Sequence, residues 1–517
     1  MNAEVTHPVR GDLAARFLDG KTTFWLVAAL SAALFLFTNF PWTLDEYDQE
    51  KQAFTSYEMV KEGHWLYQHT PTGLIATKPP LGGWVSAALF YVTRSWGAAW
   101  RLPSVLAAIA LAILLFRAAD RAYDRASGLI ALSAFSLNLL TPRLASLART
   151  DMPLALLTFA LGLQIWSKIR TRSDWTRRDR VLFFLLLTAV MLLKGPIVYA
   201  FLLPGIAFYQ WRFRKSGATA TGWPGWWPWI ASLAVFLAWV IGGIVYVPEF
   251  YNQVVLREFA ARFTQTIHRP QPSYFYVLHL LHKFAPWSLL MIALGILSFR
   301  SRKIRLRDAF RQISPETFWL ICWCAGGILV MSIIPSKRVD RIFPVIPPLC
   351  LLLAAQFADR RPQSSDRAQQ WAALAVVMAL LITGEYAVTK TIKEYRHRAL
   401  AVFGQNVRHQ AAAEHLRYEV VGRQTPPGTL ENSNRRKLGK TATGPKFKDG
   451  VLLLYLDRSH FMSQDEAIAA WNSGTINALV APKADWPNLS QQLDEVATAP
   501  RLEAPTHRNI KYVFITK

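Results

Sequence analysis

The sequence predicts an all-α, polytopic membrane protein that ends in a small soluble α/β domain. Three observations predict it. Apolar stretches recur through residues 23–389, and a bilayer core needs about 20 such residues per span. Charged residues are 18% of the chain against 52% hydrophobic, where an average soluble protein carries about 25% charged. Beyond residue 390 the pattern changes to short apolar runs between polar and Gly/Pro-containing segments.

The first apolar run, 23–40, follows a polar N-terminal segment, 1–22, and no small-residue cleavage site follows it. It therefore reads as a retained span with a cytoplasmic segment before it, not as a removed signal peptide. Further spans are expected at 101–119, 128–141, 152–169, 181–193, 196–211, 229–247, 276–298, 318–334, 342–357 and 371–389. Residues 80–93 are apolar but short and open at a Pro-Pro pair, so they read as an interfacial or re-entrant segment. Charge decides that point. With about eleven spans, the basic loops around Arg117–Arg125, 168–180, Arg212–Lys215, 300–311 and Arg360–Arg367 all fall on the cytoplasmic side, as orientation by Lys and Arg requires. Counting 80–93 as a span would move most of them outside. The net charge of +24 is then a topological signal, and nucleic acid is excluded as a partner.

The opposite face receives the first loop, 41–79, the turn 143–151, the loop 248–275, the turn 335–341 and the tail, 390–517. Lys390, Lys393, Arg396 and Arg398 follow the last span and pull the tail the other way. Within the tail, 422–448 reads as a loop. Strands are expected at 451–456, 478–481 and 511–516, with a helix at 464–470. Cys322, Cys324 and Cys350 lie in apolar segments and read as buried small hydrophobes, without a disulfide or thiolate metal site.

The outer loops gather the polar chemistry. The first emerges from lipid directly into Asp45 and Glu46, followed by Asp48, Glu50, Glu58 and Glu62 against Lys51, Lys61 and Lys78. The second ends at Asp151, the third carries Arg257, Arg262, His268, Arg269 and Tyr274, and the last is Ser336-Lys337-Arg338-Val339-Asp340-Arg341. Asp45 and Asp151 each also fit the start of a helix as N-caps, and His268 fits a plain polar loop residue. Basic residues on the outer face run against the charge rule, and a phosphate ligand would account for them. Carboxylates and cations on one face suit group transfer from a phosphate leaving group, with a general base beside a phosphate clamp.

The order Trp42-Thr43-Leu44-Asp45-Glu46, then Glu58-Met59-Val60-Lys61-Glu62-Gly63-His64-Trp65, then Lys78-Pro79-Pro80-Leu81 resembles the first outer loop of GT-C fold glycosyltransferases that use lipid-linked sugars. Arg101-Leu102-Pro103-Ser104, Asp151-Met152-Pro153-Leu154, Leu193-Lys194-Gly195-Pro196 and His268-Arg269 before Tyr274-Phe275-Tyr276 extend the similarity across residues 26–348. It looks most like the branch of aminoarabinose lipid A transferases and, more distantly, protein O-mannosyltransferases. The resemblance implies a multi-pass protein of the bacterial inner membrane with its active site on the periplasmic face. The donor would be a polyprenyl phosphate sugar and the acceptor a lipid A-like lipid or a polysaccharide. It implies catalytic roles for Asp45, Glu46 and Asp151, and contacts to the donor phosphate from Lys78, Lys337, Arg338 and Arg341. Substrate contacts would come from His268, Arg269 and Tyr274. Aminoarabinose transferases tend to have Glu-Lys-Pro where this chain has Thr77-Lys78-Pro79, a glutamate linked to a metal together with a histidine resembling His268. With Thr77 there, no cofactor is assigned, and both the divalent cation that the resemblance implies and aminoarabinose specificity lose support. Transfer to Ser or Thr of a protein is the alternative within the enzyme class. A lipid-linked sugar transporter is the alternative of another class, disfavoured because the acidic residues sit in loops at one face and no internal repeat is evident.

Overall fold

The structure is a computed structural model that describes residues 10–44, 47–71, 73–213, 222–260, 271–302, 312–360, 365–422, 450–494, 500–504 and 511–517. The chain divides into two compact units, one of Met1–Asn39, Trp100–Tyr251 and Val255–Thr391, the other of Phe40–Ala99, Asn252–Val254 and Ile392–Lys517.

The first unit is a bundle of apolar helices. Among the described residues, six helices are individually long and apolar enough to cross a membrane, and two bent pairs raise the number to eight. Shorter helices, Arg125–Ser136, Arg177–Lys194 and Ile197–Phe213, occupy three more of the expected span positions. The chain is thus a multi-pass membrane protein. The expected span at 276–298 is instead two helices, Phe275–Lys283 and Trp287–Leu297, bent by 99°. Pro286 falls at the break, where it has no backbone N–H to continue the helical ladder.

The Arg125–Ser136 helix is buried from Ala126 onward, which makes it the centre of the bundle. Close helix approach depends on small residues. A Cβ on Gly162 would stand 2.1 Å from the Trp323 ring, and one on Gly326 would stand 2.8 Å from the Gly205 nitrogen. Trp323 stacks on Phe159 with ring centroids 5.8 Å apart, and the neighbouring Trp319 donates its indole N–H to the Gly162 carbonyl at 3.2 Å. The three cysteines are buried and unbridged, as their apolar surroundings predict.

The second unit joins two regions that are far apart in sequence, the first outer loop and the tail. The loop contributes the Tyr47–Lys61 helix and the apolar Leu81–Thr93 helix, which at 13 residues is shorter than a span. The tail contributes a four-stranded sheet in the order β1-β2-β4-β3, with β1 Tyr418–Val420, β2 Ala478–Pro482, β3 Leu502–Glu503 and β4 Tyr512–Thr516. β1 runs parallel to β2, while β4 is antiparallel to both of its neighbours. The Gln464–Asn472 helix, opened by a Ser463/Glu466 capping box, buries Ala467 and Trp471 against Leu479, Ala481, Val513 and Ile515 of the sheet.

The expected strand at 451–456 is a helix, Gly450–Leu456. A short, wholly apolar run carries no period that separates a buried strand from a buried helix. Here packing on the Ala399–Ala413 helix decides, at Gly404, where an added Cβ would stand 2.6 Å from Tyr455 Cβ.

Side-chain bonds tie loop to tail within this unit. Thr43 Oγ1 donates to Glu394 Oε2 at 2.6 Å, and the Leu44 N–H donates to the Tyr455 hydroxyl at 2.9 Å. Tyr57 donates its hydroxyl to Asp457 Oδ1 at 2.8 Å, and Lys61 Nζ reaches Asp457 Oδ2 at 3.1 Å. Burial and the acceptor carboxylate both push the Tyr57 hydroxyl far above the usual phenol range. Burial also opposes ionisation of Asp457, but the Tyr57 and Lys61 hydrogen bonds outweigh it and hold the carboxyl below its ordinary value.

Candidate active site

In the first unit the motifs of the sequence converge on one ionic network. Asp151 is the first residue of the Asp151–Thr171 helix, not its N-cap, which is Thr150 without a side-chain bond. Both Asp151 oxygens are taken. Oδ2 lies 2.8 Å from Arg149 Nε and Oδ1 lies 2.6 Å from Lys194 Nζ. Lys194 is the last residue of the Arg177–Lys194 helix, whose end is turned by Gly195 at φ 77. The Lys-Gly-Pro motif therefore delivers a cation to a carboxylate from another helix. Glycine suits that turn because it takes positive φ at no steric cost.

Arg149 spans two carboxylates, with Nη1 2.8 Å from Asp340 Oδ2. Arg143 and Arg338 approach Asp340 at 3.4 and 3.7 Å. Four cations thus surround two carboxylates, and Arg149, Asp151 and Asp340 are buried. The backbone leading to Asp151 is held by the Arg-Leu-Pro-Ser motif. Ser104 donates to the carbonyls of Leu147 at 2.7 Å and Arg149 at 3.1 Å, and Arg101 Nη1 donates to that of Ser146 at 3.3 Å. Asn39 adds bonds to the Arg143 carbonyl and the Ser146 hydroxyl at 2.8 and 2.9 Å.

The turn 335–341 belongs to the same unit. Lys337 is buried and donates to the Gln271 carbonyl at 3.0 Å, and Arg341 Nη1 donates to the Ser336 carbonyl at 2.5 Å. Tyr274 is 59% exposed, just ahead of the Phe275–Lys283 helix. Chemically, four cations on two carboxylates leave the cluster with an excess of positive charge, an arrangement able to hold an anion.

In the second unit, Lys78 Nζ stands 3.5 Å from Gln52 Oε1, and Lys51 Nζ donates to Thr77 Oγ1 at 2.9 Å. An ammonium bonded to the Thr77 hydroxyl does not fit a metal ion at that position. Glu58 is buried between His64 and His69. Asp45, Glu46, Arg262, His268 and Arg269 lie outside the described residues, as does the side chain of Arg257. Thr43 and Leu44, immediately before Asp45, are the residues fixed on Glu394 and Tyr455.

Sequence reasoning singled out Asp151, Lys337, Arg338 and Arg341 but gave no role to Arg149, Lys194 or Asp340. Their pairing joins residues 43 and 191 positions apart, which no local period encodes. The usable signals were cations at motif positions beside apolar helices, where a charge needs a partner.

No protein-family model matches the chain. Undecaprenyl phosphate-alpha-4-amino-4-deoxy-L-arabinose arabinosyl transferases are similar. That of Photorhabdus laumondii is 26% identical over 327 residues, covering 59% of this chain and 54% of its own length. That of Aeromonas salmonicida is 28% identical over 384 residues, covering 69% and 65%. The chain therefore matches less than two thirds of the length of either relative. Among solved structures, ArnT from Cupriavidus metallidurans bound to undecaprenyl phosphate superposes with a TM-score of 0.66 at 16% identity, over 96% of this chain and 98% of that one. The archaeal oligosaccharyltransferase AglB from Archaeoglobus fulgidus gives 0.51 at 11% identity, over 91% and 71%.

Proposed function

The chain has the GT-C fold, and from that premise we propose that it is an inverting glycosyltransferase of the bacterial inner membrane. It moves a sugar from a polyprenyl phosphate donor to a lipid A-like or polysaccharide acceptor at the periplasmic face. The observation that carries this reading is the network on Asp151 and Asp340, in which four cations are held by two buried carboxylates. Positive charge of this kind, with Arg338 shared between the network and the phosphate, favours the doubly charged phosphate that departs over the singly charged phosphodiester of the donor, which is the difference that accelerates transfer.

In the reaction the acceptor hydroxyl oxygen forms a bond to the anomeric carbon as the bond from that carbon to the phosphate oxygen breaks. The hydroxyl proton passes to Asp45, with Glu46 beside it. The electron pair leaves on the lipid phosphate, where Lys78, Lys337, Arg338 and Arg341 stabilise it. Asp151, with both oxygens engaged, positions Arg149 and Lys194 and takes no proton. Tyr274, His268 and Arg269 contact substrate. No step runs through a metal at Thr77, whose hydroxyl faces the Lys51 ammonium.

The test is transfer of radiolabelled sugar by purified protein from a panel of synthetic polyprenyl phosphate sugars, with lipopolysaccharide, polysaccharide and periplasmic protein as acceptors. Labelled lipopolysaccharide or polysaccharide supports the proposal. Label on protein would move it to the O-mannosyltransferase-like reaction. Movement of intact donor across vesicles without any transfer would replace it with transport.

A further inference from the structure

We infer that Glu58, His64 and His69 form a binding site for a divalent transition-metal ion of the zinc type, separate from the residues assigned to sugar transfer. One potential ligand atom from each of the three lies within 4.8 Å of the others. His64 Nδ1 stands 2.8 Å and His69 Nδ1 3.0 Å from the same carboxylate oxygen, Glu58 Oε1. Ligands at about 2.1 Å around a tetrahedral ion are about 3.4 Å apart, so an ion fits once each histidine nitrogen draws back from Glu58 Oε1 by about half an ångström. The imidazole rings meet edge to face, at 72° with centroids 4.9 Å apart, while both Nδ1 atoms converge on Glu58 Oε1. Two imidazoles and one carboxylate are a borderline donor set that suits zinc, and the hard all-oxygen preference of calcium and magnesium is not met.

The ligands are held independently of any ion. Glu58 sits in the last turn of the Tyr47–Lys61 helix with only 5% of its side chain exposed. Its second oxygen, Oε2, accepts the backbone N–H of His69 at 2.5 Å. Gly63, at φ 77, turns the chain so that His64 returns over Glu58. Gln68 then donates to the carbonyls of His64 at 3.2 Å and Trp65 at 3.0 Å, and Trp84 donates to that of Trp65 at 2.8 Å. An isolated antiparallel bridge between His69 and Ile75 fixes the far side of the site. A fixed outer layer of this kind is what orients metal ligands. His64 is 49% and His69 34% exposed, which leaves a solvent side for entry and for a water as fourth ligand.

The test uses the full-length protein in detergent, stripped with a chelator and titrated with ZnCl2 by calorimetry, beside His64→Ala, His69→Ala and the double variant. The expected result is one zinc per chain for the wild type, weakened at least about tenfold by each single substitution and abolished in the double variant. Apparent Tm without zinc should be unchanged in His64→Ala, whose side chain is half exposed. Two results overturn the inference: no stoichiometric zinc in the wild type, or wild-type affinity in the double variant. Should the double variant fail to fold, the visible spectrum of the Co2+-loaded wild type decides. Tetrahedral nitrogen/oxygen bands uphold the site, and their absence removes it.

Discussion

Replacing Lys194 with methionine removes one of the two cations on Asp151 while keeping the apolar stem. The carboxylate it abandons is 5% exposed, and the ammonium it loses was 2.6 Å away. Breaking a buried pair by deleting one partner costs roughly 3–5 kcal/mol. Arg149 Nε remains 2.8 Å from the other oxygen, so Lys194→Met should fall at the low end, about 3 kcal/mol. Asp151→Asn leaves Arg149 and Lys194 facing an amide and should cost a similar amount. The double variant removes one charge of each sign together. It should therefore be more stable than the sum of the singles by about 1–3 kcal/mol. Denaturant unfolding of the purified protein in micelles, followed by tryptophan fluorescence, gives all four corners of the cycle. Losses that add within about 0.5 kcal/mol would refute the coupling, and with it the idea that Asp151 holds these cations in place.

Other parts of the structure are open to equally direct checks. Gly162→Ala puts a Cβ 2.1 Å from the rigid Trp323 ring, so it should destabilise the bundle by about 1–3 kcal/mol, read in the same unfolding assay. Acid should loosen the contact between the first loop and the tail. The Asp457 carboxyl titrates below its ordinary value when folded, so its contribution is complete above about pH 4 and fades as pH falls further through the folded value. Limited proteolysis across pH 3–7 should show protection of the Tyr47–Lys61 helix lost at the acid end. Asp457→Asn should flatten that part of the profile, and an unchanged profile would show that the bond does not hold the loop.

The fold was legible because lipid imposes length and apolarity on every span, so 23–40 and 318–334 announce themselves. Interfacial treatment of 80–93 followed from the same lengths and from loop charge. The break near Pro286 was visible as a residue but not as a 99° bend, because a proline in an apolar run is compatible with a kink or a full stop. The strand expected at 451–456 failed where periodicity carries no information and packing at Gly404 decides. At the candidate site, charged positions such as Asp151 and Arg338 were readable and their partners were not. Asp151 stands out as an acid at a helix start, yet nothing local says that Lys194 and Arg149 neutralise it. The union of the first loop with the tail was equally hidden, since Tyr57 and Asp457 are 400 residues apart.

The central claim is transfer from a polyprenyl phosphate sugar with Asp45 as the proton acceptor. It is tested most directly by single-turnover transfer from the preferred donor, comparing wild type with Asp45→Asn at matched donor binding and matched Tm. Loss of a general base predicts a fall of about 10²–10⁴ in rate with donor affinity unchanged. Transfer by Asp45→Asn at the wild-type rate would contradict the account and move the base to another residue.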